Sequence, residues 1–430
     1  MKARLCLHGV DIKHQAQLLG LVKKELSEYK LSYKVTYKVK ERYFDDNDMY
    51  KCRVARFVSK HPGAALRLLC VWGVLLVSDK PVNVADIIVE YEAENSLAAG
   101  RALGIVNRLL QGRQGFVLDE PDLSRRIDLL RGCYYLDNLE GYDKGTALTA
   151  LWCHLPWHLY GINKLWEQLL LSGGEQRPLW RQLRVKLRRL RSVLSLVKPL
   201  FPEADKWKEA LKERADVLSN VREYDVLLQT CERMRLHRGD TEQAVPQLQG
   251  LLAGLRQQAQ VRTLQQLQLN ELTYELAQLL VAAQQAASKE CEQGLQAFFV
   301  KRLGGWAAKL LLLPEKYGDM RDMEQLHRVR IKLKRFRYAL QSVPELTASP
   351  QLLRGLKYLQ DMLGLLHDDY VNGQYLEQLV GAHPELPELR YEVAMLRGYE
   401  QAKADVAMEQ LATQWQEFSG LLREWLDELE

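Results

Sequence analysis

At 430 residues with a formal net charge of +5, the chain is long enough for two or three domains and only mildly basic, so bulk charge alone does not mark a polyanion binder. The longest apolar run, Leu68 to Val77, is about half of what a membrane span requires, and seven cysteines with neither a CxxC pair nor a Cys/His cluster at metal spacing fit a reducing compartment rather than a disulfide scaffold. The N-terminus has no short apolar core followed by small residues, so a soluble cytoplasmic protein is expected.

In chain order, the period-two alternation of strands appears at Lys2 to His8, Ser32 to Tyr43, Lys51 to Val58, Ala65 to Val77 and Ala85 to Glu94. An amphipathic helix is predicted at about Lys13 to Tyr29 and another from Ser96 to Gln111. Asp45-Asp46-Asn47-Asp48 reads as turn chemistry. Glu90, Glu92 and Glu94 alternate, which places three carboxylates on one strand face. No second carboxylate strand completes a divalent-ion site, so a solvated sheet face is expected there. The polar, turn-rich stretch Asn138 to Gly145 marks a domain boundary. It separates an α+β domain at 1–140 from a helical domain at 146–430 that includes long segments such as Pro246 to Val300.

Two decoys lie at the start of the helical part. Leu171-Ser172-Gly173-Gly174-Glu175-Gln176 imitates a transporter ATPase signature, but no GxxxxGK[ST] loop exists in the chain, so an interhelical turn is expected. Trp152, Trp157, Trp166, Trp180 and Trp207 are spaced among leucines at helical intervals, which predicts core packing rather than a base-stacking platform.

The informative stretch is Arg177 to Lys198, which carries eight Lys or Arg and no acidic residue. Shifted by 146 positions, Arg184-Val-Lys-Leu-Arg-Arg-Leu-Arg191 lies on Arg330-Ile-Lys-Leu-Lys-Arg-Phe-Arg337, matching charge with charge and apolar with apolar throughout. At about 100° per residue, Arg181, Arg184, Arg188 and Arg191 form one stripe of a helix, and His327, Arg330, Lys334 and Arg337 form its counterpart. The adjoining apolar stripes are Leu183, Leu187, Leu190, Leu194 and Val329, Leu333, Phe336, Leu340, so the cations flank the core. Like charges so arranged repel by a few tenths of a kcal/mol per neighbouring pair, which an anion relieves. With the offset at 145, Leu211-Lys212 lies on Leu356-Lys357, and Arg222-Glu-Tyr-Asp-Val226 on His367-Asp-Asp-Tyr-Val371. The repeats span about 146–290 and 291–430, and two basic helices facing a shared groove are expected. From Tyr375 to Glu430 twelve acidic residues face four basic ones, so positive charge is concentrated upstream.

The stretch Leu326-His-Arg-Val-Arg-Ile-Lys-Leu-Lys-Arg-Phe-Arg-Tyr-Ala-Leu340, followed by Leu356-Lys-Tyr-Leu-Gln-Asp-Met-Leu-Gly-Leu-Leu-His-Asp368, resembles the second half of a CHAD domain. Leu183 to Ser192 and Arg222 to Leu228 resemble its first half, and the likeness covers roughly 146–430. The resemblance implies a mainly α fold of tandem pseudo-symmetric four-helix bundles, preceded by the smaller α+β domain, with a basic groove that binds inorganic polyphosphate. Association with polyphosphate granules is a further expectation of that kind. The first repeat departs from the family in carrying Arg181 where the second has His327, which raises permanent charge and removes one pH response.

The N-terminal region is similar, more distantly, to a CYTH or triphosphate-tunnel domain. Ile87 to Glu94 resembles its late ExE strand, and Tyr43-Phe44-Asp45-Asp46 and Arg53 to Arg56 stand at corresponding places. The opening ExExK strand is missing, since Met1-Lys2-Ala3-Arg4 puts cations where the carboxylates belong. That resemblance implies a degenerate domain without its triphosphatase machinery.

The groove is expected to be lined by Arg184, Arg188, Arg191, Arg330, Lys334 and Arg337, flanked by Arg181, His327, Lys212 and Lys357. Lys186 and Lys332 are further contacts just off the stripe, where solvation competes with ligand contact, as it does for Arg189 and Arg335. His327 suits either a phosphate contact or a helix-end bond to a backbone carbonyl. His367-Asp368-Asp369 cannot converge from one helix face, so packing or a phosphate contact is expected rather than catalysis. Guanidinium forks hold neighbouring phosphate oxygens and release counterions, which makes affinity steeply salt-dependent. No catalytic residue, metal or cofactor is assigned. The competing readings are a metal-dependent triphosphate or polyphosphate hydrolase using the N-terminal domain, a nucleic-acid-binding protein, and a scaffold docking acidic protein partners.

Overall fold

The computed structural model describes residues 2–9, 12–29, 31–42, 49–59, 65–77, 80–93, 95–112, 116–121, 126, 155–238, 245–267, 269–287, 294–313, 322–343 and 349–429. The expected boundary at Asn138 to Gly145, the elements Tyr43 to Asp48, Glu94 and Trp152 lie outside the described residues.

Strands β1 (Lys2–Gly9), β2 (Leu31–Arg42), β3 (Met49–Ser59), β4 (Leu66–Val77), β5 (Lys80–Glu92) and β6 (Phe116–Asp119) form an antiparallel sheet in the order β2-β3-β4-β5-β1-β6. Five match the predicted strands within a few residues. β6, at four residues, is too short for its alternation to register in the sequence. The helices are α1 (Gln15–Glu25), α2 (Ser96–Gly112), α3 (Leu155–Leu171), α4 (Arg177–Leu196), α5 (Ala204–Val217), α6 (Ser219–Arg238), α7 (Pro246–Gln266), α8 (Leu269–Ala287), α9 (Leu295–Leu311), α10 (Met323–Leu340), α11 (Pro350–Ala382) and α12 (Pro387–Asp427). The chain is thus mainly helical, with a smaller α+β region at its N-terminal side. The segment from Pro246 to Val300 is not one helix: it is broken next to Leu267, whose side chain is buried, and again before Leu295.

Compactness divides the chain into unit 1, Met1–Leu190 with Val197–Ala210 and Leu264–Leu295, and unit 2, Arg191–Leu196 with Leu211–Thr263 and Gln296–Glu430. In unit 1, Ala3, Leu5 and Leu7 share a sheet face with Ile87, Val89 and Tyr91, all of them buried. Helix α8 closes on that face. The Gln284 amide donates to the Arg4 carbonyl at 2.9 Å and accepts from the Tyr91 hydroxyl. Thr273 of α8 also donates to Asn163 of α3 at 3.0 Å.

The β1–β5 register sets Lys2 opposite Glu92, Arg4 opposite Glu90 and His8 opposite Asp86. Each of these cross-strand pairs joins a base to an acid, which favours this register over its neighbours. Arg4 bonds Glu90 at 2.9 Å, and the Glu90 side chain is only 12% exposed. The solvated face expected for Glu90 is therefore replaced by an ion pair, because the cations of β1 stand directly across from the carboxylates.

Asp86 is fully buried between His8 at 2.8 Å and Arg126 at 2.9 Å. Arg126 also donates to the Glu120 carbonyl and lies 3.3 Å from the Cys6 sulfur. Burial alone pushes the Asp86 carboxyl up, but Arg126 and His8 outweigh it and hold the group below its ordinary range. Burial alone pushes His8 down, and the bond to Asp86 outweighs it, so the imidazole titrates above its usual value.

Unit 2 has a core in which Leu227, Cys231 and Met234 of α6 meet Leu248 and Leu252 of α7, Leu376 and Leu379 of α11, and Leu389, Val393 and Leu396 of α12. These spacings of three and four are one face of each helix. Pro246 opens α7, and the buried carboxylate of Glu392 on α12 accepts from the Gln247 and Leu248 amides at 3.2 and 2.6 Å, capping the helix from outside. Asp225 of α6, 1% exposed, pairs with Arg256 of α7 at 2.7 Å. Within the sequence repeat, α5 and α6 are separated only at Leu218, whereas the equivalent α11 runs unbroken for 33 residues.

Asp86→Asn is expected to lower stability by about 3 kcal/mol at pH 7, because it takes from buried Arg126 its nearest charge partner and leaves only Asp119 at 3.5 Å. In the wild-type protein the contribution of Asp86 disappears as pH falls below the usual carboxylate range. That of His8 is complete below its unfolded pKa and is lost as pH rises through its raised folded pKa. Urea denaturation across pH should show both limbs, with the alkaline limb absent in Asp86→Asn. Asp225→Ala should cost about 3–5 kcal/mol for the same reason, and Asp225→Leu with Arg256→Leu should recover most of it in thermal melts.

Candidate functional site

The turn between α3 and α4 sets up the first basic helix. Gly173 and Gly174 have φ of 57° and 76°, the Gly174 amide donates to the Leu169 carbonyl at 2.9 Å, and the Gly173 amide to the Leu170 carbonyl at 3.1 Å. This is a Schellman ending, in which a left-handed residue costs least when it is glycine. The Trp180 indole donates to the Gly174 carbonyl at 2.8 Å and locks the turn to α4. The Leu171 to Gln176 stretch is thus the interhelical turn expected. Trp166 and Trp180 are fully buried and Trp207 nearly so, which is the core role their spacing predicts.

Helix α4 buries Leu183, Leu187, Leu190 and Leu194, and α10 buries Val329, Leu333, Phe336 and Leu340; none of the eight is more than 1% exposed. Fixing those stripes orients the cations beside them. On α4, Arg181 is exposed, and Arg184, Lys186, Arg188 and Arg191 are half-buried, as is Arg189. On α10, His327, Arg330, Lys332, Lys334 and Arg337 are half-buried, and Arg335 is exposed. Lys212 on α5 and Lys357 on α11 are exposed.

Lys186 lies against α3, where a Cβ on Gly161 would come within 3.2 Å of its Nζ. Burial and the neighbouring Arg189 bring its pKa down to about 8. Arg335 is not a simple solvated cation: its guanidinium stacks 4.2 Å from the ring centroid of Trp306 on α9, and Arg302 approaches the same ring at 5.5 Å. Arg302 also donates to the Ser195 and Leu196 carbonyls at 2.9 and 3.2 Å, so a cation caps the C-terminal end of α4.

In unit 2 the structure brings α10 and α11 together around two histidines. The His327 and His367 rings stack at 4.6 Å with an interplanar angle of 22°. The His367 Nδ1 is 3.3 Å from Asp368, whose same oxygen is 3.7 Å from the Arg330 guanidinium. A Cβ on Gly364 would lie 3.8 Å from Arg330. These contacts pair 327 with 367 and 330 with 364, so α10 and α11 run antiparallel here. Lys357, two turns before Gly364 on the same helix face, falls level with the Arg337 end, roughly 10 Å along the axis.

The His327 Nδ1 is buried and has no hydrogen-bond partner among the described residues. Burial, His367, Arg330 and Lys334 all push its pKa down. The helix-end bond to a backbone carbonyl is therefore not what the structure shows. His367 and Asp368 join this arrangement although neither was among the predicted site residues; the sequence offered them as the end of the second CHAD-like motif and as a packing or phosphate contact. On the far side of Asp368 the charge reverses. Asp369 and Glu400 lie nearby, and burial, opposed by a bond from Asn372, raises the Glu400 pKa to about 7. A separate cavity of about 560 Å³ between α11 and α12, lined by Glu377, Arg390, Arg397 and Gln401 among others, includes none of the predicted site residues.

Among the described residues, no group of three or more His, Cys, Asp or Glu side chains is arranged to hold a metal ion, and no helix is long and apolar enough to cross a membrane. A family model for the CHAD domain matches residues 164–377. Among solved structures, the crystal structure of the CHAD domain from the plant Ricinus communis superposes with a TM-score of 0.51 at 22% identity, covering 63% of this chain and 92% of that one. PptA from Streptomyces chartreusis gives a TM-score of 0.46 at 16% identity, covering 63% of this chain and 100% of that one. Comparison with curated protein sequences finds no match. With the family's motifs on α4, α6, α10 and α11, residues 164–377 are a CHAD domain, of a family associated with polyphosphate binding.

Proposed function

We propose that the protein binds inorganic polyphosphate on the cationic ridges of α4 and α10, without cleaving it. Arg184, Arg188, Arg191, Arg330, Lys334 and Arg337 make the principal contacts, with Arg181, His327, Lys186, Lys332, Lys212 and Lys357 beside them. In this reading 146–430 is the binding module and 1–140 an accessory α+β module. The observation that carries it is the duplication of one cationic stripe beside one buried apolar stripe, with core positions matched in both copies. A solvated surface does not require the cations to keep that register against the core, whereas a regularly charged polymer does.

Polyphosphate carries roughly one charge per unit, so successive guanidinium forks meet successive phosphates without any bond being broken. Two observations support binding over hydrolysis at the N-terminal sheet. The Glu90 carboxylate is engaged by Arg4, and the strand opposite it supplies cations rather than further carboxylates.

The test is a polyphosphate titration of the wild type against Arg184→Glu with Arg330→Glu, both verified as folded by circular dichroism. Wild-type affinity should fall linearly in log–log form with salt, and the variant should bind at least about tenfold more weakly with a shallower salt slope. Equal binding by the folded variant would remove these ridges as the site.

A further inference from the structure

Resting on that reading, we propose that occupation of the α10 ridge by polyphosphate is coupled to uptake of a proton by His327, so that this repeat binds more tightly as pH falls below neutral, where the cations of the Arg181 repeat are already charged.

The geometry of the histidine pair carries the inference. His327 stands at the head of the stripe Arg330, Lys334, Arg337, and its ring lies face to face with His367 at 4.6 Å. The charged groups around it are Arg330 and Lys334 on its own helix and, on α11, His367 and Asp368, the last being 44% exposed and directed at His367 and Arg330. No carboxylate bonds His327, and its buried Nδ1 has no hydrogen-bond partner among the described residues. His8 shows the contrast: its ring meets Asp86 at 2.8 Å, and that bond raises its pKa against the effect of burial.

An imidazolium at 327 in the unliganded protein therefore meets two cations and a stacked imidazole in a partly desolvated place, which favours the neutral ring. A phosphate chain laid along Arg330 and Lys334 reverses that balance, because it brings anionic oxygens to a stripe whose first member has an unused protonation site. Binding then raises the affinity of His327 for a proton, and by linkage a proton raises the affinity for the chain. The equivalent position in the first repeat, Arg181, is charged at every pH. Below neutral pH, where Lys186 is charged as well, one repeat is a constant anchor and the other a pH-tuned one.

The experiment is a titration with long-chain inorganic polyphosphate at fixed ionic strength from pH 5.5 to 8.5, in which interior phosphates stay ionised and chain ends are few. Wild-type Kd should drop toward acid, by up to about tenfold per pH unit for one linked proton. Calorimetry in buffers of different protonation enthalpy should register net proton uptake. His327→Arg should bind at pH 8 at least as tightly as wild type, with no slope and no uptake below pH 7, the slope left above it belonging to Lys186. His327→Gln should also lose the slope below pH 7, binding at acid pH no more tightly than wild type does at pH 7. Glu400→Gln should keep the wild-type slope, which separates His327 from the nearby carboxyl that titrates near 7. A slope below pH 7 that is unchanged in His327→Arg, or abolished by Glu400→Gln, overturns the proton linkage while leaving polyphosphate binding intact. Absence of binding at every pH overturns the binding reading itself.

Discussion

The structure depends on a single constraint: on α4 and α10 the cations are adjacent to the buried stripe and not opposite it. Burying Leu183, Leu187, Leu190 and Leu194 fixes the rotation of α4, and Val329, Leu333, Phe336 and Leu340 do the same for α10. At about 25 cal/mol per Å² of apolar surface removed from water, such stripes stabilise far more than neighbouring like charges destabilise. Core packing therefore holds together a row of positive charge that would otherwise disperse. Half-burial also lowers the local dielectric, which strengthens each contact with an anion and explains why Lys186 and His327 both lean toward their neutral forms.

Features with strict periodicity were legible in the residues. The duplicated ridge could be seen because a helix beside a core constrains both apolar and charged positions, and the strands of the sheet because their alternation persists for eight or more residues. β6 was not legible, being too short. Nor was the break at Leu267, which separates two stretches of the same Leu- and Gln-rich composition. The contacts that matter most at the site escaped for a different reason. His327 meets His367, and Arg335 meets Trp306, across pairs of helices whose mutual register no single-helix pattern encodes. His367-Asp368-Asp369 looked unconvergent because only its own helix was in view; its first two members face α10.

The N-terminal sheet handles charge in a contrasting way. β1 places Lys2, Arg4 and His8 against Glu92, Glu90 and Asp86 of β5, so its carboxylates are matched within the protein. Asp86 and Arg126 are sunk in the interior, where pairing with each other, with His8 and with Asp119 makes their ionisation tolerable. The same residue types thus produce a self-neutralised interior in one part of the chain and a cationic surface in another, according to whether the opposite sign is supplied by the next strand.

Helix α11 carries this arrangement further. It continues without interruption from Lys357, through Gly364 and His367 beside α10, to Leu376 and Leu379 in the core shared with α6, α7 and α12. At 1.5 Å per residue, roughly 13 Å of stiff rod separate the stacked imidazoles from that core. A rotation of α11 in its distant leucine bed must therefore turn His367 relative to His327. The ring stacking is consequently a lever arm read out at a distance, and the first repeat, jointed at Leu218, has no such shaft.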